Sequence, residues 1–226
     1  MELIINKVEY KYPERITIAM WQDVMRYDFK NPSNWADIVH IATGAPKSQL
    51  LRANEEALEL GVAILVQLCN VRTECKVMPV TELNFGQFVD LDVWLTMGVK
   101  SHLADVASIL VDTEWADEAL FAVEQYSNYR THIYRQYAEL FGLNDEADDE
   151  ELQPGKVDKL QVARNWYKIM VDLANDDILK IDEVTEQPLI KVFNFMALRK
   201  QKQLEEKIRI IEKNSKLKTQ RFFFFF

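Results

Sequence analysis

Three histidines, two cysteines and a few closely spaced carboxylates are the residues with which this 226-residue chain could do chemistry. His40, His102 and His132 lie far apart, with no ligand-like spacing between them. A metal site needs several donors brought together at close spacing, so each histidine reads as a surface or core-edge residue. Cys69 and Cys75 form a C-x5-C beside a predicted helix end with no second pair, the pattern of structural thiols rather than of a zinc or redox site. Asp90-Leu91-Asp92 offers oxygen ligands for a hard cation, but residues two apart on a helix do not share a face. Asp176-Asp177 and Asp182-Glu183 fall at predicted helix starts, where carboxylates stabilise the positive end of the helix dipole. Acid–base catalysis would need those groups in a pocket. No G-x-S-x-G, H-E-x-x-H, G-x-G-x-x-G or G-K-[ST] occurs. The expectation is a non-enzymatic protein with no catalytic residue, cofactor or metal. Its alternative is an enzyme with a buried, non-sequential site that sets His102 or His132 against a carboxylate.

The elements that must position these residues are mostly helical. Glu2–Tyr12 reads as a strand, with Leu3 and Ile5 on one face and Val8, Tyr10 and Tyr12 on the other. Pro13-Glu14 makes a turn, and Arg15–Ile18 reads as the returning strand of a hairpin. Lys76–Glu82 is a candidate third strand. Helices are predicted over Met20–Tyr27, Asn34–Thr43 (capped by Ser33), Ser48–Asn70, Gly86–Met97 (capped by Asn84) and Ala104–Asp112 (capped by Ser101). Further helices are predicted over Glu114–Leu140, Lys156–Leu173 and the short turn Ile178–Val184, with Asp176-Asp177 as its cap. The last and longest runs from Pro188 to about Lys216. The fold class is mainly α (α+β): a small N-terminal β-hairpin, a helical bundle and a long charged C-terminal helix. Residues 1–143 read as a first domain and 144–155 as an acidic loop or linker, with six acids in the eight residues 144–151. Residues 156–198 read as a helical part packed on the first domain, and 199–226 as a basic arm with an aromatic tip.

Composition sharpens that division. The chain is 48% hydrophobic and 28% charged, which is globular rather than disordered. Only 6 residues are glycine, which disfavours folds built on glycine loops. Met1–Tyr12 lacks the pattern of a signal peptide, and no apolar run is long enough to span a bilayer. Residues 191–221 hold ten basic and three acidic residues, a net +7, so the rest of the −9 chain carries −16. The acidic body should repel nucleic acid, and the arm lacks aromatics interleaved with its basic residues, so nucleic acid is an unfavourable partner.

After Arg221 the sequence ends in Phe222, Phe223, Phe224, Phe225 and Phe226. Five consecutive phenylalanines exceed the apolar patch of roughly 400 Å² that a soluble surface tolerates. They call for cover by a partner protein, by the chain's own domain or by an anionic membrane surface. Leu204, Ile208 and Ile211 form a thin stripe before the tip, short of the heptads a coiled coil needs but suited to docking on a larger partner. Leu204, Ile208, Ile211, Arg221 and Phe222–Phe226 are the candidate partner-binding residues.

The order of motifs resembles the baseplate hub and tail assembly proteins of T-even-like contractile-tailed bacteriophages. The carriers are the opening hairpin followed by Ile16-Thr17-Ile18-Ala19-Met20-Trp21-Gln22, then WADIVHIATGAP at Trp35–Pro46. NFGQFVDL at Asn84–Leu91 follows, and last comes WYKIMVDLANDDILKIDEVTEQPLIKVFNFMAL at Trp166–Leu198. The resemblance implies a non-enzymatic role in building the hub from which tape-measure protein and tail tube grow, as a component or a chaperone. It implies other tail or hub proteins as partners, including tape-measure protein. It places the chain in the host cytoplasm during assembly or in the baseplate of the virion, and it carries over no catalytic residues.

Overall fold

The computed structural model describes residues 1–5, 7–141 and 159–223, with the backbone alone described at 159 and 214–223. The acidic stretch at 144–155 and the tip residues Phe224–Phe226 lie outside the described residues. The protein is mainly α-helical with a two-stranded antiparallel sheet at its N-terminus.

That sheet differs from the predicted one. Strand β1 (Glu2–Ile5) pairs with β2 (Val8–Lys11), Ile5 facing Val8 across a two-residue connection in which Lys7 has φ 68°. Glu2–Tyr12 is therefore a complete hairpin and not a single strand. The slip in apolar phase between Ile5 and Val8 marked the turn, although the connection lacks the Asn-Gly signature of such turns. Arg15–Ile18 is not a returning strand. Thr17 makes one isolated bridge to Trp115, and its side chain accepts a hydrogen bond from Met20 N to start helix α1 (Ile18–Val24).

Among the described residues, the candidate strand Lys76–Glu82 is also absent. Lys76–Pro79 has no regular secondary structure, Met78 N donates to Leu110 O at 2.7 Å, and Val80–Glu82 closes as a 3-10 turn. Pro79 removes a ladder donor from a run already short for a strand.

The hairpin rests on helix α4 (Glu55–Cys69). Tyr12 donates to Gly61 O at 2.9 Å, and a Cβ on Gly61 would lie 2.7 Å from the Tyr12 hydroxyl and 3.0 Å from Leu3 and Val39. Helix α2 (Trp35–Thr43) packs on α4 and ends at Gly44, whose φ of 69° completes the left-handed cap. Its entry turn is capped by Asn31, which accepts from Ser33 N, rather than by Ser33. The predicted helix Ser48–Asn70 divides into α3 (Lys47–Leu50) and α4, because the Asn54 side chain accepts from Glu56 N and begins a new helix.

Helix α5 (Phe85–Met97) starts with a reciprocal capping box: Gln87 N donates to Asn84 Oδ1, and Asn84 N donates to Gln87 Oε1. Helix α6 (Val99–Leu110) begins directly after Gly98 at φ 115°, so Ser101 sits inside the helix and is not its cap. The predicted helix Glu114–Leu140 is α7 (Ala116–Gln136) plus one turn, α8 (Ala138–Phe141), divided at Tyr137. Helix α9 (Lys159–Leu173) leads to a 3-10 turn capped by Asp177, then to α10 (Ile181–Thr185), with Asp182 and Glu183 in its first turn. The final helix, α11 (Leu189–Phe223), runs past the predicted end at Lys216.

One continuous core joins these elements. Ile38, Leu65, Phe88, Leu103, Tyr126 and Phe193 are each fully enclosed and belong to the same apolar cluster. Helices α9 and the first part of α11 share that core with α5 and α7. Phe193 meets Phe88 at 5.3 Å and Tyr137 at 5.2 Å edge-on, and stacks parallel to Trp166 at 6.4 Å.

Candidate docking surface on the C-terminal helix

Helix α11 changes character along its length because its surroundings do. Its start is pinned to the entry of α5: Phe85 N donates to Gln187 O at 2.8 Å and Leu189 N to Leu83 O at 3.1 Å. Leu189, Val192 and Phe193 are buried. Tyr137 donates to Asn194 at 2.8 Å, and Arg199 pairs with Asp172 of α9 at 3.0 Å. The Lys200 ammonium donates to the carbonyls of Glu139 and Leu140, the last turn of α8. A cation on unpaired C-terminal carbonyls is a favourable match, and it fastens α11 to the body one residue before the exposed stretch begins.

From Gln201 to Lys213 every residue is exposed. Leu204, Ile208 and Ile211 continue, at helical spacing, the stripe along which Leu189 and Phe193 are buried and Ala197 is partly buried in the body. They are 49%, 55% and 66% exposed, and nothing among the described residues covers them. These three candidate partner-binding residues share one face of the helix. Arg221, Phe222 and Phe223 lie on the described backbone of the same helix.

A second apolar surface was missed. Phe195 and Leu198 lie on the other side of α11 and are half-exposed, near Leu173. Two shallow clefts meet there, of about 250 Å³ beside Val184 and Lys191 and about 310 Å³ beside Arg199 and Lys202. The apolar residues Leu189, Val192, Phe193, Met196 and Ala197 mark the core side of this half of α11, and Phe195 and Leu198 fall outside that set. Phe193 and Phe195, two residues apart, cannot both face the core.

The titratable candidates are placed singly or paired structurally. His40 bonds Ala45 O through Nδ1 at 2.7 Å. His102 stacks on Trp94 and meets Asp105 at 3.1 Å, one turn away on the outer side of α6. His132 is exposed on α7. A cleft of about 450 Å³ between α1 and α6 is lined by Thr17, Gln22, Ser108, Asp112 and Glu114 among others, with neither histidine nor cysteine. Cys69 is enclosed, and burial pushes its thiol up to about 12. Burial, then the nearby Glu118 and Asp117 carboxylates, raise Cys75 as well. Neither is therefore a ready thiolate.

Asp90 is exposed while Asp92 is fully buried, so the two do not share a face. Asp92 accepts from Arg130 Nε through one oxygen and from Trp166 Nε1 through the other at 2.7 Å. Arg130 also lies 4.5 Å over the Tyr134 ring. Burial opposes the Arg130 charge, but the Asp92 carboxylate outweighs it and raises the guanidinium above its ordinary value. This network ties α5, α7 and α9 together and leaves neither oxygen open to a cation. No group of three or more His, Cys, Asp or Glu suited to a metal converges among the described residues.

A second polar cluster, not anticipated from sequence, joins Arg15 to Asp117 at 2.9 Å and to Glu118 at 2.7 Å. Thr73 donates to Asp117 and Thr113 to Glu118, so the first turn of α7 is held by two loops. No described helix is long and apolar enough to cross a membrane. Comparison with protein-family models, curated proteins and solved structures finds no match to this chain.

Proposed function

We propose that this chain is a non-enzymatic interaction protein of bacteriophage tail assembly, a hub assembly factor or hub component, that docks other tail proteins through α11. The observation that carries the docking reading is the core-facing stripe of α11, which continues uncovered beyond Lys200 through Leu204, Ile208 and Ile211. The tail assignment rests on the sequence resemblance. Each of the three side chains is already about half covered, so burying the remainder would contribute on the order of 1 kcal/mol apiece. Association costs roughly 4–15 kcal/mol in lost freedom, so the stripe alone would bind weakly. Firm docking therefore draws on further contacts, for which Phe222–Phe226 and the Phe195–Leu198 surface are the chain's apolar resources.

The test is co-expression with the hub and tape-measure proteins of a contractile-tailed phage. The triple variant Leu204→Asp/Ile208→Asp/Ile211→Asp should fold normally and lose co-purification. Undiminished co-purification would defeat the docking reading. The basic residues beside the Phe tip favour a second reading, an anionic membrane as the surface gripped. Salt-sensitive flotation with phosphatidylserine vesicles, combined with no capture of tail proteins, would select it.

A further inference from the structure

The two clefts on the other side of α11 form one groove. Leu173, at the end of α9, and Phe195 line both. Val184 and Val192 wall the first, and Leu198 walls the second. The α11 walls run from Lys191 to Phe195 and from Phe195 to Lys202. At about 1.5 Å of rise per residue, the cleft centres lie roughly 8 Å apart. Helix positions four and seven apart are separated by about 6 and 10 Å, so two apolar anchors of one helical segment can enter the two clefts together. The rim is basic, and no acidic residue lines either cleft among the described residues. Lys191 donates to Gln187 Oε1 at 2.8 Å, and Arg199 is engaged by Asp172 at 3.0 Å. Lys202 is exposed, with no hydrogen-bond or ion-pair partner among the described residues. Arg209 and Lys213, exposed and equally without partners there, follow Lys202 by seven and eleven residues and so share its side of the helix. Glu206 on that side offsets one of these three cations.

We infer that this groove binds an acidic amphipathic helix of a partner protein, with two apolar anchors one to two turns apart seated against Leu173 and Phe195, and carboxylates on Lys202 and the cations beyond it. A lipid surface is gripped by apolar side chains that protrude, whereas these clefts are concave and receive side chains. The apolar clefts supply burial, and the unpaired cations, all toward the Lys202 end, set the direction of the bound helix and speed its encounter. The inference rests on the reading of α11 as a docking element and gives a ligand class to the side away from Leu204, Ile208 and Ile211.

Fluorescein-labelled helical peptides of about 16 residues test it, with leucine and phenylalanine anchors four or seven apart among glutamates, and matched versions carrying lysine in place of glutamate. Anisotropy with the full chain, up to roughly 1 mM, should show one glutamate peptide binding at least about tenfold tighter than its lysine version. Lys202→Glu should weaken the glutamate peptide at least about fivefold and strengthen the lysine one, and Phe195→Ala should weaken both. Helicity and thermal midpoint of each variant should match wild type, since both positions are exposed. No binding at either anchor spacing overturns the inference, as does binding indifferent to Lys202→Glu and Phe195→Ala. Phosphatidylserine vesicles that bind through the same two residues when no peptide does would overturn it in favour of a lipid surface. Leu204→Ala/Ile208→Ala/Ile211→Ala should leave peptide binding unchanged, and its loss there would put the peptide on the stripe and overturn the groove. A wild-type chain that captures tail proteins through the stripe yet binds no peptide removes the acidic helix and leaves the docking reading standing.

Discussion

Removing the Asp92 carboxylate should be among the most damaging single changes this fold can suffer. Asp92 is wholly enclosed, and its two oxygens receive the Arg130 guanidinium and the Trp166 indole N–H. Asp92→Ala leaves a nearly buried cation without its counter-charge and an enclosed N–H without an acceptor. Breaking one side of a buried ion pair costs about 3–5 kcal/mol, because the surviving charge has lost its solvent and its partner together. Against a typical total of roughly 5–15 kcal/mol, that is a large share of stability. With a urea dependence of about 2–3 kcal/mol per molar, the unfolding midpoint should fall by about 1.5 M. Asp92→Leu/Arg130→Met removes both charges and should recover more than half of that loss, leaving the cost of the unpaired Trp166 N–H at about 1–2 kcal/mol. Equilibrium urea unfolding by tryptophan fluorescence reads both. A single variant within 0.5 kcal/mol of wild type, or a double variant no better than the single, would refute the account of this network.

Gly61→Ala should destabilise by about 1 kcal/mol, although alanine is the better helix former, since its Cβ meets Tyr12, Leu3 and Val39 too closely; thermal melts check this. Asn84→Ala breaks the capping box and should cost about 1 kcal/mol in urea unfolding. The Arg15 cluster should give a pH-dependent term. In Asp117, burial pushes upward, but hydrogen bonds from Arg15 and Thr73 prevail and lower it; in Glu118, bonds from Thr113 and Arg15 lower it. Carboxylates depressed in the fold contribute stability above their unfolded range near 4, and lose it as pH falls through their lower folded values. Arg15→Gln should therefore cost about 1–2 kcal/mol at neutral pH, discounted because Arg15 is partly exposed, and the gap from wild type should close as pH falls below about 4. Parallel unfolding curves at pH 7 and 3.5 measure it, and a constant gap would contradict the assignment.

Helix existence was legible wherever the apolar stripe kept its 3.6-residue period, as in α5, α7, α9 and α11. Boundaries failed where a local side chain competed with the period. Asn54 started a new helix inside a continuous apolar pattern, and Gly98 passed the chain straight into α6 ahead of Ser101. The strand misreadings share one cause, since period-2 alternation over a few residues does not fix its pairing partner. The stripe Leu204, Ile208 and Ile211 could be found because it is regular. Its exposure could not, because the same spacing is buried one turn after another up to Lys200, and only the end of the body separates the two halves. The Asp92–Arg130–Trp166 network joins residues 38 and 74 positions apart, beyond the reach of any local pattern.

Amide hydrogen exchange across residues 201–213 tests the central claim most directly. A helix with no tertiary cover is marginal in water, so these amides should exchange quickly in the dilute chain while those of α5 and α7 stay protected. Once the chain is bound to a co-purified tail protein, exchange at 201–213 should slow by at least about tenfold. Protection already present in the dilute monomer, or unchanged exchange in the complex, would contradict the reading of this segment as the docking arm.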